Sequence, residues 1–204
     1  MPRVLVYYAH PGHKNSRVNK TLSVVAQENQ QVTFIDLYAE YPRYEINVDA
    51  EQERLKNHDV ILFQHPLFWY STPALIKEWV DLVLEDGFAF GEGGDKLAGK
   101  LIMNITSASG SEESYTSSDP EKFSLRTLLS PLEQTARLCR MKYISPYVLF
   151  SALKARAEVE IYRHAQGYRD LLRALCNGTF DIHKASGTQV ITSQTVGDFL
   201  GGEA

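Results

Sequence analysis

At 204 residues with 44% hydrophobic content, the chain can bury one good core and is too short for two domains of ordinary size. Its net charge of -4 offers no basic field to a phosphate backbone, which argues against nucleic-acid binding. Cys139 and Cys176 stand far apart inside apolar helical stretches and read as reduced core thiols of a cytosolic protein.

Val4 to Ala9 is a run of β-formers, expected as a first strand and too short for a signal peptide. No other apolar run reaches membrane-spanning length, so a soluble protein is expected. The turn chemistry of His10 to Asn15 follows, then Ser16 as expected N-cap of a helix whose Val18, Leu22, Val25 and Ala26 recur at helical spacing. Val32 to Leu37 predicts a second strand, Tyr38 to Val48 has no clear period, and Asp49 to Lys56 predicts a helix with acidic residues at its amino end.

The third strand is expected over Asp59 to Phe63, with Pro66 stopping it, and empties into Leu67-Phe68-Trp69-Tyr70-Ser71-Thr72. Pro73 then precedes an apolar helix from Ala74 to Leu84, since proline suits a helix start. These loop aromatics have two readings, ordinary core packing under a loop or a wall for a flat conjugated ligand. Residues 86–100 are too rich in glycine for regular structure. A fourth strand is expected over Leu101 to Ile105, ending in the small-residue loop Thr106 to Tyr115. Leu125 to Leu138 has helical period, with Pro131 expected to kink or divide it. Tyr143 to Phe150 completes the strands, and a long helix runs from about Ala155 to Cys176, stopped by Asn177-Gly178.

Strands alternating with helices predict a three-layer α/β fold, a five-stranded parallel sheet of order 2-1-3-4-5 covered on both faces. Residues 1–178 form the expected domain, and residues 179–204 an appended extension, with a short strand or helix at Gln189 to Leu200 expected to pack on a partner.

In that order three loops converge on one sheet edge, after the first, third and fourth strands. The first offers Ser16 and helix-terminal amides for a phosphate. The second offers aromatics and backbone amides for a ring. The third offers small residues for close backbone approach, with Gly110 expected to be free for positive φ. Phosphate, flat ring and close backbone together describe a flavin mononucleotide site. Other chemistry is weaker: His10 and His13 lack the companions of a metal site, Gly91-Glu92-Gly93-Gly94 follows no strand, and Trp79 sits at core spacing with Leu75 and Val83.

Tyr8-Ala9-His10, Ser16-Arg17-Val18-Asn19, the block Phe63 to Tyr70 with Pro73 to Trp79, and Phe88-Ala89-Phe90-Gly91 resemble the NAD(P)H:quinone oxidoreductase family of flavodoxin-like proteins. Within it the chain is more similar to bacterial FMN-binding ancillary subunits of glutathione-gated potassium-efflux systems. The resemblance spans residues 4 to about 175. It implies that His10, Ser16, Arg17, Val18 and Asn19 hold the flavin phosphate side, and that Pro66, Leu67, Phe68, Trp69 and Tyr70 hold the isoalloxazine. Ser107-Ala108-Ser109-Gly110 falls on the family's Thr-Thr-Gly-Gly loop and keeps only the last glycine. The family's active-site tyrosine falls on Tyr115, while Glu121 stands where mammalian members have a histidine, so Tyr115 alone is the catalytic candidate.

The resemblance implies FMN, with FAD the alternative, and NAD(P)H as co-substrate in a ping-pong, two-electron reduction of quinones or similar electrophiles. It further implies a homodimer, cytoplasmic and peripheral to the inner membrane where a potassium-efflux protein is its partner. A regulatory docking role on that partner is the alternative function, and an electron-carrier flavodoxin is disfavoured by the modest charge.

Overall fold

The computed structural model describes residues 1–115, 122–154 and 158–201. Its sheet contains β1 (Val4–Tyr8), β2 (Val32–Asp36), β3 (Val60–Pro66), β4 (Leu101–Ser107) and β5 (Lys142–Leu149), all parallel and ordered β2-β1-β3-β4-β5, as expected. The helices are α1 (Val18–Glu28), α2 (Leu37–Glu40), α3 (Val48–Lys56), α4 (Ala74–Val83), α5 (Leu125–Leu128), α6 (Ser130–Leu138), α7 (Glu158–Asn177) and α8 (Ile182–Ser186). None of the described helices is long and apolar enough to cross a membrane.

Strand alternation separates two cores. Val4, Val6, Val60 and Leu62 pack with α1 and α7 on one face, and Leu5, Tyr7, Ile61 and Phe63 with α3, α4 and α6 on the other. Every residue of β1 and β3 is therefore buried, and their near-continuous apolar character follows from being covered twice.

On the α3/α4 face, buried Glu51 gathers hydrogen bonds from the Tyr7 and Tyr41 hydroxyls, from Arg54 and, at 3.1 Å, from Trp79 Nε1. A buried carboxylate is tolerated only when so paired, and this one ties β1, α3 and α4 together. Trp79 is core, as its spacing predicts.

Several boundaries differ from expectation, each for a local reason. Pro66 closes β3 as its last residue, pairing with Ser107, because the missing N–H falls where the ladder ends. Thr106 and Ser107, expected in the loop, continue β4 to meet it. Ser16 is not the N-cap: α1 begins at Val18 after Arg17, although Ser16 Oγ accepts from Lys20 N at 3.3 Å. The segment after β2 contains the single turn α2, nucleated by Asp36, whose carboxylate accepts from Tyr38 N and Ala39 N. Pro131 divides its helix, as expected, and stands in the first turn of α6.

The extension expected to lie on a partner packs on its own chain instead. Ile191 bridges Tyr147, accepting from Val148 N and donating to Pro146 O at 2.8 Å each, so it lengthens the sheet beside β5. Phe180, Ile191, Val196 and Phe199 are buried in the α1/α7 core. Arg126 fastens the segment by donating to the carbonyls of Ser186 and Thr188 while Glu133 holds its guanidinium bidentately. The physical reason is that β5 is an edge strand whose unpaired backbone the extension covers.

His164 of α7 is wholly buried, stacked on Tyr147 with ring centroids 4.3 Å apart, and neither ring nitrogen has a partner. Burial pushes it down to about 3 from its ordinary 6.5. The unfolded chain thus takes up a proton below about pH 6.5 that the folded chain refuses until about pH 3, so stability falls with pH through that window. Urea unfolding should show His164 alone costing about 2 kcal/mol between about pH 7.5 and pH 5, at about 1.4 kcal/mol per pH unit below its unfolded value. His164→Phe keeps the stack and should flatten the profile by that amount; an unchanged profile would assign the acid sensitivity elsewhere.

Candidate functional site

The carboxyl ends of β1, β3 and β4 open onto a cleft of about 840 Å³. This lies within the range that holds a drug-sized ligand. The first wall comprises His10 and the start of α1, with Ser16, Arg17, Val18 and Asn19 all lining it. The first-turn amides of α1 have no intrahelical acceptor, and with the Arg17 guanidinium they form a donor set suited to a phosphate. Asn15, in the same loop but given no role by the sequence, joins this wall from the preceding turn.

His10 Nδ1 accepts from Gly12 N at 3.1 Å, so the neutral ring carries its proton on Nε2. Burial, then the neighbouring His13, lower its pKa and keep it neutral. Its ring meets Phe68 edge-on at 5.6 Å, joining the first wall to the second.

The second wall is Pro66, Leu67, Phe68, Trp69 and Tyr70. Leu67 N donates to Ser107 O at 2.8 Å, and Phe68 and Ser71 exchange backbone bonds at 2.9 and 3.0 Å across a tight two-residue turn. Its central residues, Trp69 and Tyr70, have φ of 47° and 65°. Such turns ordinarily carry Asn-Gly, and a bulky aromatic in the left-handed region costs roughly 1 kcal/mol or more. The strain holds Trp69, 94% exposed, and Tyr70, 61% exposed, out beside the cleft. Trp69 is therefore no core aromatic.

His65 fixes this wall from behind. Its Nδ1 lies 3.0 Å from Pro66 O, which can only accept, so Nδ1 bears the proton. Complete burial lowers the ring's pKa, leaving Nε2 an acceptor. Asn104 satisfies it when its amide nitrogen faces His65 and its oxygen takes the Tyr143 hydroxyl, each contact being 3.0 Å.

Ser107, Ser109, Gly110 and Tyr115 line the third wall, together with Ser114. Ala108 does not: it is fully buried beneath the loop with Leu67, Leu125, Leu129 and Val148, and its backbone binds Leu149 O and Ala152 N at 2.9 Å each. Alternation along the chain turns its side chain from the cleft into the core. Gly110 does not use the positive φ open to it; its smallness serves close packing, since a Cβ there would stand 3.0 Å from Tyr115 Cε2 and 3.3 Å from Ser114 Cβ. Tyr115 is half-buried and lies against Phe150 at 5.8 Å. Glu121 lies outside the described residues.

Ala152 and Leu153, after β5, complete the rim and were missed in the sequence reading. The strand order itself was the available signal, because β5 ends at the same edge. In the cleft floor Asn19 Nδ2 donates to Ser107 Oγ at 2.8 Å, while buried Asn19 Oδ1 has no protein partner. Among the described residues there is no cluster of His, Cys, Asp and Glu fit to hold a metal. The arrangement is a phosphate-suited helix start beside an apolar, one-side-open slot, with an unsatisfied polar atom between them.

A family model described as a flavodoxin-like fold matches residues 2–172. The glutathione-regulated potassium-efflux system ancillary protein KefG of Serratia proteamaculans is 42% identical over 172 residues, covering 84% of this chain and 93% of that protein. A structure described as a thermophilic tryptophan halogenase from Streptomycin violaceusniger is similar at TM-score 0.79 and 37% identity, over 83% of this chain and 98% of that one. General stress protein 14 of Treponema denticola, in complex with FMN, has TM-score 0.79 and 34% identity over 85% and 99% of the two chains. An NADPH-quinone reductase of P. pentosaceus has TM-score 0.72 and 26% identity over 83% and 96%. With fold, strand order and family model in agreement, the chain belongs to the flavodoxin-like family.

Proposed function

We propose that this chain is an FMN-dependent NAD(P)H:quinone oxidoreductase, reducing quinones and related electrophiles by two electrons in a ping-pong cycle. The observation that carries this reading is the juxtaposition in one cleft of the α1 amides and Arg17 with the slot between the Pro66–Tyr70 and Ser107–Gly110 walls. The unpartnered Asn19 Oδ1 between them fits a hydroxylated linker. The FMN complex of the Treponema denticola relative and the quinone-reductase relative support the same assignment.

Bound FMN would supply hydride acceptance and donation at its ring, chemistry that the side chains lack. The chain's own residues bind and orient. Arg17 and the start of α1 would hold the phosphate, and neutral His10 would offer a further N–H; Pro66, Leu67 and Phe68 would bound the ring, with exposed Trp69 and Tyr70 at the mouth of the cleft. The backbone amides of Ser109 and Gly110, in the part of this loop that lines the cleft, would serve as donors to charge that grows on a reduced ring. Tyr115, at the rim, is the proposed proton donor to the acceptor's oxygen.

A second role is supported by the 42% identity to the potassium-efflux ancillary protein KefG over 93% of that protein: docking on a potassium-efflux membrane protein, which would hold a cytoplasmic chain at the inner membrane's surface. The two roles are compatible. The exposed Phe68, Trp69, Tyr70 and Leu153 around the cleft suit a homodimer that closes each site with its partner.

Reconstituted with FMN, the protein should lose the flavin's visible absorption on addition of NADPH or NADH and regain it with a quinone. Absence of bleaching with either nicotinamide would remove the enzyme reading and leave the docking role. A Gly110→Val chain, whose side chain must displace the Tyr115 ring, should bind FMN roughly tenfold more weakly, and Trp69→Phe within about threefold of the parent. Fluorescence titration giving the opposite order would show that Trp69 itself holds the ring.

A further inference from the structure

Behind the cleft wall runs a line of buried polar groups that begins at Asn19 and whose inner members, Gln64 and Tyr168, have no part in the binding roles above. Asn19, in the first turn of α1, carries the partnerless Oδ1 and donates through Nδ2 to Ser107 Oγ. Its backbone carbonyl accepts from Gln64 Nε2 at 2.9 Å. Gln64, at the centre of the sheet beside Tyr8, accepts in turn from the Tyr168 hydroxyl on α7 at 3.2 Å. Gln64 and Tyr168 are both wholly buried, and neither lines the cleft.

The chemistry of this line permits one arrangement. A carbonyl only accepts, so Gln64 must turn its amide nitrogen to Asn19 and is left with a buried oxygen that needs a donor. Tyr168 is that donor. Burial raises its pKa, so the proton stays on. With the Gln64 amide fixed in this way, the first turn of α1 is held from inside the sheet. Asn19 can then present its free amide end and Ser107 its hydroxyl to whatever lies over them.

We propose that Gln64 and Tyr168 are positioning residues for the cofactor: acting through Asn19, they set the aim of the α1 start and of the Asn19–Ser107 pair at the polar part of FMN. This rests on the FMN reading above. The Tyr168 ring also stacks on Tyr147 with centroids 6.3 Å apart. Tyr168→Phe therefore keeps the packing and removes only the hydroxyl. It leaves Gln64 Oε1 buried without a donor, a penalty the amide escapes by leaving Asn19.

The test measures FMN dissociation constants, by quenching of flavin fluorescence, for the full chain and for Tyr168→Phe, Ser107→Ala and the double variant, with the thermal midpoint of each apoprotein. Tyr168→Phe should weaken FMN binding roughly five- to tenfold while lowering the midpoint by only a few degrees. The double variant should bind no more than about twofold worse than the weaker single one, because both changes act through Asn19. If Tyr168→Phe fails to fold, Gln64→Met, unbranched and of similar length, should show the same weakening and the same coupling to Ser107→Ala. A lowered midpoint with unchanged affinity, or effects that simply multiply, would make Tyr168 a packing residue and overturn the proposal. A parent chain that quenches no FMN would overturn the flavin reading itself, and this inference with it, whereas a binding parent with an equally binding Tyr168→Phe overturns the inference alone.

Discussion

The hydrogen bond from Leu67 N to Ser107 O, 2.8 Å long at the last step of the β3–β4 register, is the constraint on which the cleft depends. It makes two strands end level, so that the aromatic turn and the small-residue loop leave the sheet side by side. Beneath them Leu67, Ala108, Leu125, Leu129 and Val148 form a small apolar cluster of their own. A shift of one residue in β4 would turn Ala108 outward and Ser107 inward, exchanging the floor of the cleft with its support.

That edge is unusual in its polarity. Gln64, His65, Asn104, Thr106 and Ser107 are all buried at the carboxyl ends of β3 and β4, where a sheet covered on both faces would otherwise carry aliphatic side chains. Most of these groups are paired, His65 through Asn104 to Tyr143 and Gln64 through Tyr168, so the layer is rigid as well as polar. Asn19 Oδ1 and Thr106 Oγ1 remain without partners. Glu51 on the opposite side shows the contrast: its four donors leave nothing to offer, and it serves the fold alone.

Much of this was legible in the residues. Continuous apolar runs marked strands buried on both faces, Pro73 and Pro131 marked helix boundaries, and alternation of strand with helix left few windings for the sheet. Of the residues that the family resemblance assigned to the flavin, all line the cleft except Ala108, whose inward turn depends on β4 running two residues past its apolar stretch into Thr106 and Ser107. Polarity hid that continuation. Gly110 is free for positive φ and does not take it, whereas Trp69 and Tyr70 beside the cleft do, where strain works against residue preference. The extension gave no periodic signal because it is held by Arg126 and by single edge contacts at Ile191 rather than by a long amphipathic face.

The proposed activity turns on FMN binding in the cleft between α1, the aromatic turn and the Ser107–Gly110 loop. The decisive measurement is mass spectrometry of the small molecule released on denaturing the protein, after incubation with equal FMN and FAD and removal of unbound flavin. FMN at about one per chain is expected. Release of FAD alone, or of no flavin at all, would contradict it.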